Sequence, residues 1–495
     1  MGHTTPPHVP IGMVAAFLAF ALLVVACAGD VSEESVAGSL DAARFVDEPQ
    51  ATEAPGEPRT PTTTTSIVAA TTTTTLVPPT PTDPPRPEPP SLGSLDLPCG
   101  RPGDATGVGV DETRIVIGVG DDRGSLHAAG SAVDVVETVR ALADRCNALG
   151  GIAGRQIVVD EFDAAVVEVD DRMAEACETV FALVGHAFSW DDAGEATRLE
   201  CELPAFPAWS PGAGDTSPLL AAAVPSTPLP VATRGNLVAL LTSAGRGDAV
   251  ALVAPDTIGG AAVRSVRALG LVYSGLPITV VADLGYAVDR EADWGVLVQE
   301  ARAAGAGVVD FTGACRSALA PFLEAAEAAE WEPAVIAGPD AYDPACVADH
   351  PERFGRVLLE MPFLPVEDGD AAPATMETAA TLEQIGVGLT GTALRAASAF
   401  WLFAVAAESC GDRLDRNCVV TEALAVDDWT AGGLHAPTDP GTTTIAPCAV
   451  LLGVEEGRFV RRLPVEPGAY DCVESPTGDV PVAAEDGAGA TGTGG

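Results

Sequence analysis

From residue 114 onward, short apolar runs alternate with segments whose apolar positions recur every three or four residues. Arg114 to Val119 is a β-rich run, and Gly120-Asp121-Asp122-Arg123-Gly124 is a loop. A helix follows to about Leu149, because Val135, Val139, Leu142 and Cys146 share one face at i, i+4, i+7 and i+11. Gly150-Gly151 stops it, as a left-handed cap would. Ile157-Val158-Val159 is the next strand. A helix through Met173 and Cys177 leads to the strand Phe181 to Val184, and a helix near Asp191 to Glu202 leads to the strand Ala205 to Trp209. This alternation predicts a parallel sheet with helices on both faces.

A second series begins near Arg234. Helices over 234–244, 259–269, 291–304 and 317–330 precede strands at 249–253, 278–281, 308–311 and 334–336. Two consecutive series are too many for one sheet, so the fold class is α/β with two doubly wound parallel-sheet lobes. After a strand at 357–361 the pattern loosens. A long helix rich in Ala and Phe spans about 392–409, and a shorter one lies near 419–425. A hairpin of 449–453 with 458–463 turns at Glu455-Glu456-Gly457.

The flanks differ in kind. Ile11 to Val25 is an apolar run of about fifteen residues, short for a membrane span and suited to a signal-peptide core. It ends Val24-Val25-Ala26-Cys27, which resembles a bacterial lipobox, although His3 and His8 stand where Arg or Lys is usual. The resemblance implies a signal peptide over 1–26 and a lipid on Cys27, hence an extracytoplasmic protein anchored to the cell membrane. A signal anchor with a chance cysteine is the alternative. Residues 27–97 are dominated by Thr, Pro, Ala and acidic side chains, including Thr62-Thr63-Thr64-Thr65. They carry too little apolar surface to offset the entropy of ordering, and read as a disordered, semi-rigid stalk. Residues 477–495 are a Gly/Ala-rich tail expected to be disordered, which leaves a folded body over 98–476.

Charge narrows the chemistry. The 495 residues carry 26 basic and 70 acidic side chains, a formal net charge of −44, and no lysine. Without lysine there is no Walker-type or kinase phosphate contact and no Schiff base. Such an acidic chain repels nucleic acid. The sequence contains no G-x-S-x-G, H-E-x-x-H or EF-hand pattern. The body's histidines, His127, His186, His350 and His435, lack metal-ligand spacing. No enzyme, metal or cofactor is therefore predicted.

Beyond Cys27, ten cysteines remain, an even number that outside the cytosol implies disulfides. Proximity suggests Cys99–Cys146, Cys177–Cys201, Cys315–Cys346, Cys410–Cys418 and Cys448–Cys472. One or two buried free thiols are the alternative.

Arg114-Ile115-Val116-Ile117-Gly118-Val119, followed by Cys146-Asn147-Ala148-Leu149-Gly150-Gly151-Ile152-Ala153-Gly154-Arg155, resembles the opening of type I periplasmic binding proteins. The nearest group is the leucine/isoleucine/valine-binding receptors of ABC transporters. Ala182-Leu183-Val184-Gly185, Leu203-Pro204-Ala205-Phe206, Ala304-Gly305-Ala306-Gly307 and Gly453-Val454-Glu455-Glu456-Gly457 match in the same order, so the resemblance spans about 111–472. It implies a periplasmic binding protein-like fold with a three-crossover hinge. The first lobe would take about 112–230 and 362–410, and the second about 233–360 and 411–473. A small polar ligand, an amino acid or amide, would lie between them and pass to an ABC permease. Ligand sensing, or a structural envelope role on the same fold, is the alternative.

The resemblance also implies ligand contacts. Ser189, with neighbouring amides, would hold a ligand carboxylate. His186 and Phe188 share its loop, and Trp209 and Ser210 follow the next strand. In the second lobe the implied contacts are Ile258, Thr312 and Asp340, the last facing a ligand ammonium. The sequence departs from the family at His186, where a small residue or proline is usual, and at Ile258, which replaces an aromatic. Plainer readings exist for several. Ser189 would cap a helix beginning at Trp190. His186 would pack in a loop, Asp340 would be a solvated turn acid, and Phe188 and Trp209 would be core.

Overall fold

The computed structural model describes residues 91–100, 109–127, 132, 134–209, 217–225, 248–273, 277–441, 444–445 and 448–472. The helix expected over 234–244, Ser210, Cys27 with its signal peptide, most of the stalk and the tail lie outside them.

The first lobe is built on β1 (Arg114–Asp121), α1 (Asp134–Ala148), β2 (Gln156–Asp163), α2 (Val169–Thr179), β3 (Ala182–Val184), α3 (Glu195–Glu200) and β4 (Ala205–Phe206). Its four strands run parallel in the order β2-β1-β3-β4, in register from Arg114 against Gln156 to Asp121 against Asp163. The second lobe follows with β5 (Ala249–Pro255), α4 (Ile258–Tyr273), β6 (Thr279–Tyr286), α5 (Trp294–Ala303), β7 (Val308–Phe311), α6 (Ala320–Ala328), β8 (Ala334–Ala337), α7 (Pro344–Asp349) and β9 (Val357–Met361). These strands are parallel, in the order β6-β5-β7-β8-β9. The chain then returns through α8 (Pro373–Glu383), α9 (Gly391–Cys410) and α10 (Arg416–Leu424) before β10 (Cys448–Glu455) extends the second sheet antiparallel to β9, and β11 (Arg458–Leu463) pairs antiparallel with β10.

Helix α9 is apolar on nearly every side and correspondingly buried. It belongs to the only stretch among the described residues long and apolar enough to cross a bilayer, but 83 % of that window is buried inside the protein. It packs on α1 and on strands β3 and β4. Helix α10 packs on α9, and Arg416 donates to the carbonyls of Phe181, Cys201, Cys177 and Val180. The expected assignment of 411–473 to the second lobe is therefore corrected: α10 sits with the first lobe, and only the strands from 448 onward join the second sheet.

Three segments run between the lobes and lie side by side. Thr438 donates its hydroxyl to Ala223 O at 2.7 Å, Ala436 N donates to Pro362 O at 2.8 Å, and Leu364 N donates to Leu434 O at 3.0 Å. This is the three-crossover hinge.

The stalk ends earlier than expected. Ser91–Leu92 and Leu95–Asp96 pair as a small hairpin, and Leu92 and Leu97 are buried. Gly93 and Gly432 interlock there at φ +56° and +77°, and a Cβ on either would fall within 2.2 Å of the other segment's backbone carbonyl oxygen. The ten cysteines are joined in the five pairs that proximity suggested. Cys99–Cys146 ties the hairpin to the end of α1.

Where α1 begins, Asp134 accepts hydrogen bonds from the hydroxyls of Thr390 and Thr392. Burial, with some repulsion from Asp343, raises its carboxyl from 3.8 to about 6. The folded state then holds this proton more tightly than the unfolded state does. The contribution to stability is full below about pH 4 and is lost as pH rises to about 6. Urea midpoints measured from pH 4 to 7 should fall over that window, and Asp134→Asn should flatten the fall. An unchanged slope in Asp134→Asn would refute the assignment.

Candidate functional site

In both sheets the carboxyl ends of the parallel strands carry the polar side chains, as open α/β sheets arrange their ligand crevices. In the first lobe β1 ends in Asp121, and Asp122 follows it; both are buried. Arg123 Nε reaches both oxygens of Asp121 at 2.9–3.0 Å. Asp122, only 1 % exposed, accepts from Ser189 N at 2.7 Å and Val166 N at 2.8 Å. Burial pushes its carboxyl up, and these donors oppose that push. The Ser189 amide, in the loop expected to hold a ligand carboxylate, thus already holds one of the protein's own.

The rest of that loop packs inward. Phe188 lies over Gly120, where a Cβ would fall 2.0 Å from its ring, so only glycine admits the phenyl group. His186 is buried with its ring 5.8 Å from that of Phe188. Burial, and secondarily the charge of Arg198, lowers it to about 3, so it is a neutral core ring at physiological pH. Trp209 is half-buried and donates its backbone N to His186 O.

In the second lobe Tyr286, at the end of β6, donates its hydroxyl to Thr312 O at 3.0 Å. Burial, then the neighbouring charge of Asp340, pushes that phenol far above its ordinary range. The Thr312 hydroxyl meets Arg267, which also pairs with Asp310 at 2.8 Å. Asp340 faces Arg395 Nε at 3.4 Å, and Arg395, itself 5 % exposed, donates to Val224 O at 3.1 Å beside the hinge. Asp340 is therefore not a solvated turn acid but half of a link between α9 and the second lobe. Ile258 starts α4 and is 68 % exposed.

The structure thus gathers His186, Phe188, Ser189 and Trp209 at one sheet end, and Thr312 with Asp340 at the other; the Ser189 amide and the Thr312 hydroxyl already meet internal partners, whereas His186 Nδ1, Asp340 Oδ1 and Arg395 Nε are buried without a hydrogen bond. An open cavity of about 230 Å³ lies beside them, at the end of the edge strand β6. Leu126 and His127 from the loop after β1 form one wall, and Tyr286, Glu291, Trp294 and Ser317 form most of the other. None of the cavity residues was singled out as a ligand contact from the sequence. Their signal was faint: an aromatic and an acid just past a strand end.

One further constellation has the outline of a nucleophile and base. Ser398 Oγ is 2.8 Å from His435 Nε2, while His435 Nδ1 faces Ala436 O at 2.7 Å and Trp429 Nε1 donates to the serine at 2.9 Å. All three side chains are buried, so no substrate reaches them, and burial holds the histidine down at about 4. The group braces the hinge. Among the described residues no cluster of three His, Cys, Asp or Glu side chains could hold a metal.

The profile of the family described as periplasmic binding protein matches residues 114–455. Solved structures of the same fold include a substrate-binding periplasmic protein from Ralstonia solanacearum, at 15% identity, covering 70% of this chain and 100% of that one with a TM-score of 0.59. A fatty acid ABC transporter substrate-binding protein from Thermomonospora curvata matches at 15% identity over 77% of this chain and 96% of that one, with a TM-score of 0.58. The branched-chain amino acid transporter substrate binding protein LivJ from Streptococcus pneumoniae, in complex with isoleucine, matches at 15% identity over 73% and 99%, with a TM-score of 0.57. At such identities the likeness is one of fold. No curated protein sequence matches this chain.

Proposed function

The chain belongs to the periplasmic binding protein family, and from that premise we propose that it is an extracytoplasmic solute-binding protein, anchored through a lipid on Cys27, that captures a small polar ligand between its lobes for an ABC importer. Members of this family bind solutes and are not enzymes. The observation that carries the reading is the cavity whose walls come from both lobes, at the carboxyl ends of their strands. Closure of such a cleft about a hinge is a signal that a permease can read.

Thermal unfolding of the oxidised full chain across a panel of amino acids, amides, amines and short polyols tests it. A ligand at a hundred times its Kd should stabilise the fold by about 2.7 kcal/mol. Absence of any response in folded, disulfide-bonded protein would refute capture. It would favour the second reading, a structural envelope lipoprotein, which the internal partners of Ser189 and Asp340 support. Cys27→Ser should move the protein from the membrane fraction to the soluble fraction; persistence at the membrane would contradict the lipid anchor.

A further inference from the structure

We propose that the ligand seat is the cavity at the β6 edge and that it takes a small organic cation, an amine with an apolar body and no carboxylate. The proposal rests on the solute-binding reading and goes beyond it by naming the ligand class.

Two observations argue against a free amino acid. A ligand carboxylate at Ser189 would have to displace Asp122, which holds the amide of that residue and that of Val166. A ligand ammonium at Asp340 would have to compete with the fixed charge of Arg395. Both ends of a zwitterion therefore meet groups the protein has already paired. Breaking a buried charge-assisted contact to admit a like group gains nothing, since the displaced partner is left desolvated.

The cavity offers the opposite chemistry. Among the described residues that line it, Glu291 is the one carboxylate and none is an arginine. Trp294 and Tyr286 line the same wall with ring centroids 5.0 Å apart, and such aromatic surface attracts a cation. Leu126, 89 % exposed, supplies apolar surface from the facing lobe. The volume of about 230 Å³ lies below the range of about 300–1,000 Å³ usual for drug-sized ligands, so the occupant is small. A chain of net charge −44 draws cations toward such a cleft and repels anions from it.

The test uses three probes sharing one branched alkyl group: isoamylamine, leucine and isocaproate. Each is titrated into the oxidised full chain and into Glu291→Gln. Glu291 is exposed, so the unliganded melting temperature of the variant should match that of the parent. Isoamylamine should bind the parent at least tenfold more tightly than leucine or isocaproate, and Glu291→Gln should weaken it at least tenfold. Leucine or isocaproate binding as tightly as the amine would overturn the cation assignment while leaving the solute-binding reading intact. Amine binding untouched by Glu291→Gln would overturn the cavity as its seat. Failure of all three, with a response to another member of the wider panel, would again sink only this inference.

Discussion

Reduction of the five disulfides is expected to unfold the two-lobed body at room temperature. The bridges close loops with sequence separations of 47, 24, 31, 8 and 24. A native bridge contributes typically about 2–4 kcal/mol, largely by restricting the unfolded chain. Typical domains are stable by about 5–15 kcal/mol, so five bridges together are comparable with the whole. Their placement adds to the effect. Cys99–Cys146 holds the N-terminal hairpin, Cys410–Cys418 turns α9 into α10, and Cys448–Cys472 fastens the end of the second sheet. Near-ultraviolet circular dichroism should collapse in reductant as ten thiols become titratable. A cooperative native transition surviving full reduction would contradict this.

Arg198→Met should cost about 3–5 kcal/mol, the usual loss when one partner of a buried ion pair is removed. Arg198 is 1 % exposed. Its guanidinium grips the Glu195 carboxylate at 2.7–2.8 Å and donates to Leu203 O at 2.8 Å and Pro218 O at 2.7 Å. The variant strands an acid and two carbonyls at once. Those carbonyls belong to the segments that enter β4 and leave it toward the first crossing, so the damage reaches the hinge. Urea unfolding measures the loss, and the double variant Arg198→Met with Glu195→Leu should recover part of it. A loss below about 1 kcal/mol would show that solvent replaces these contacts.

The alternation of strands and helices was legible because each strand is a short apolar run ended by glycine or a polar loop. Val308-Val309-Asp310-Phe311, for example, is β7. The family resemblance led to the same fold. Cysteine proximity led to the disulfides because each bridge joins neighbouring elements. Other features were illegible for physical reasons. Ser91-Leu92-Gly93-Ser94-Leu95-Asp96 looks like stalk, and only its glycine contact with Gly432 reveals that it packs. The apolar face of α10 shows that it is buried, not which lobe buries it. The site was hardest. Ser189 could be named from its loop, but its partner Asp122 lies 67 residues away. Asp340 could be named too, yet its role depends on Arg395, one arginine among 26 basic residues. Local pattern locates strand ends; it does not say which charges meet there.

The central claim is that one ligand engages both lobes at once. Hydrogen exchange of the oxidised full chain, with and without the panel member giving the largest thermal shift, tests it directly. Slowed exchange should appear together in 122–127 of the first lobe and 286–294 of the second. Protection confined to one lobe, or none in either segment, would contradict the account.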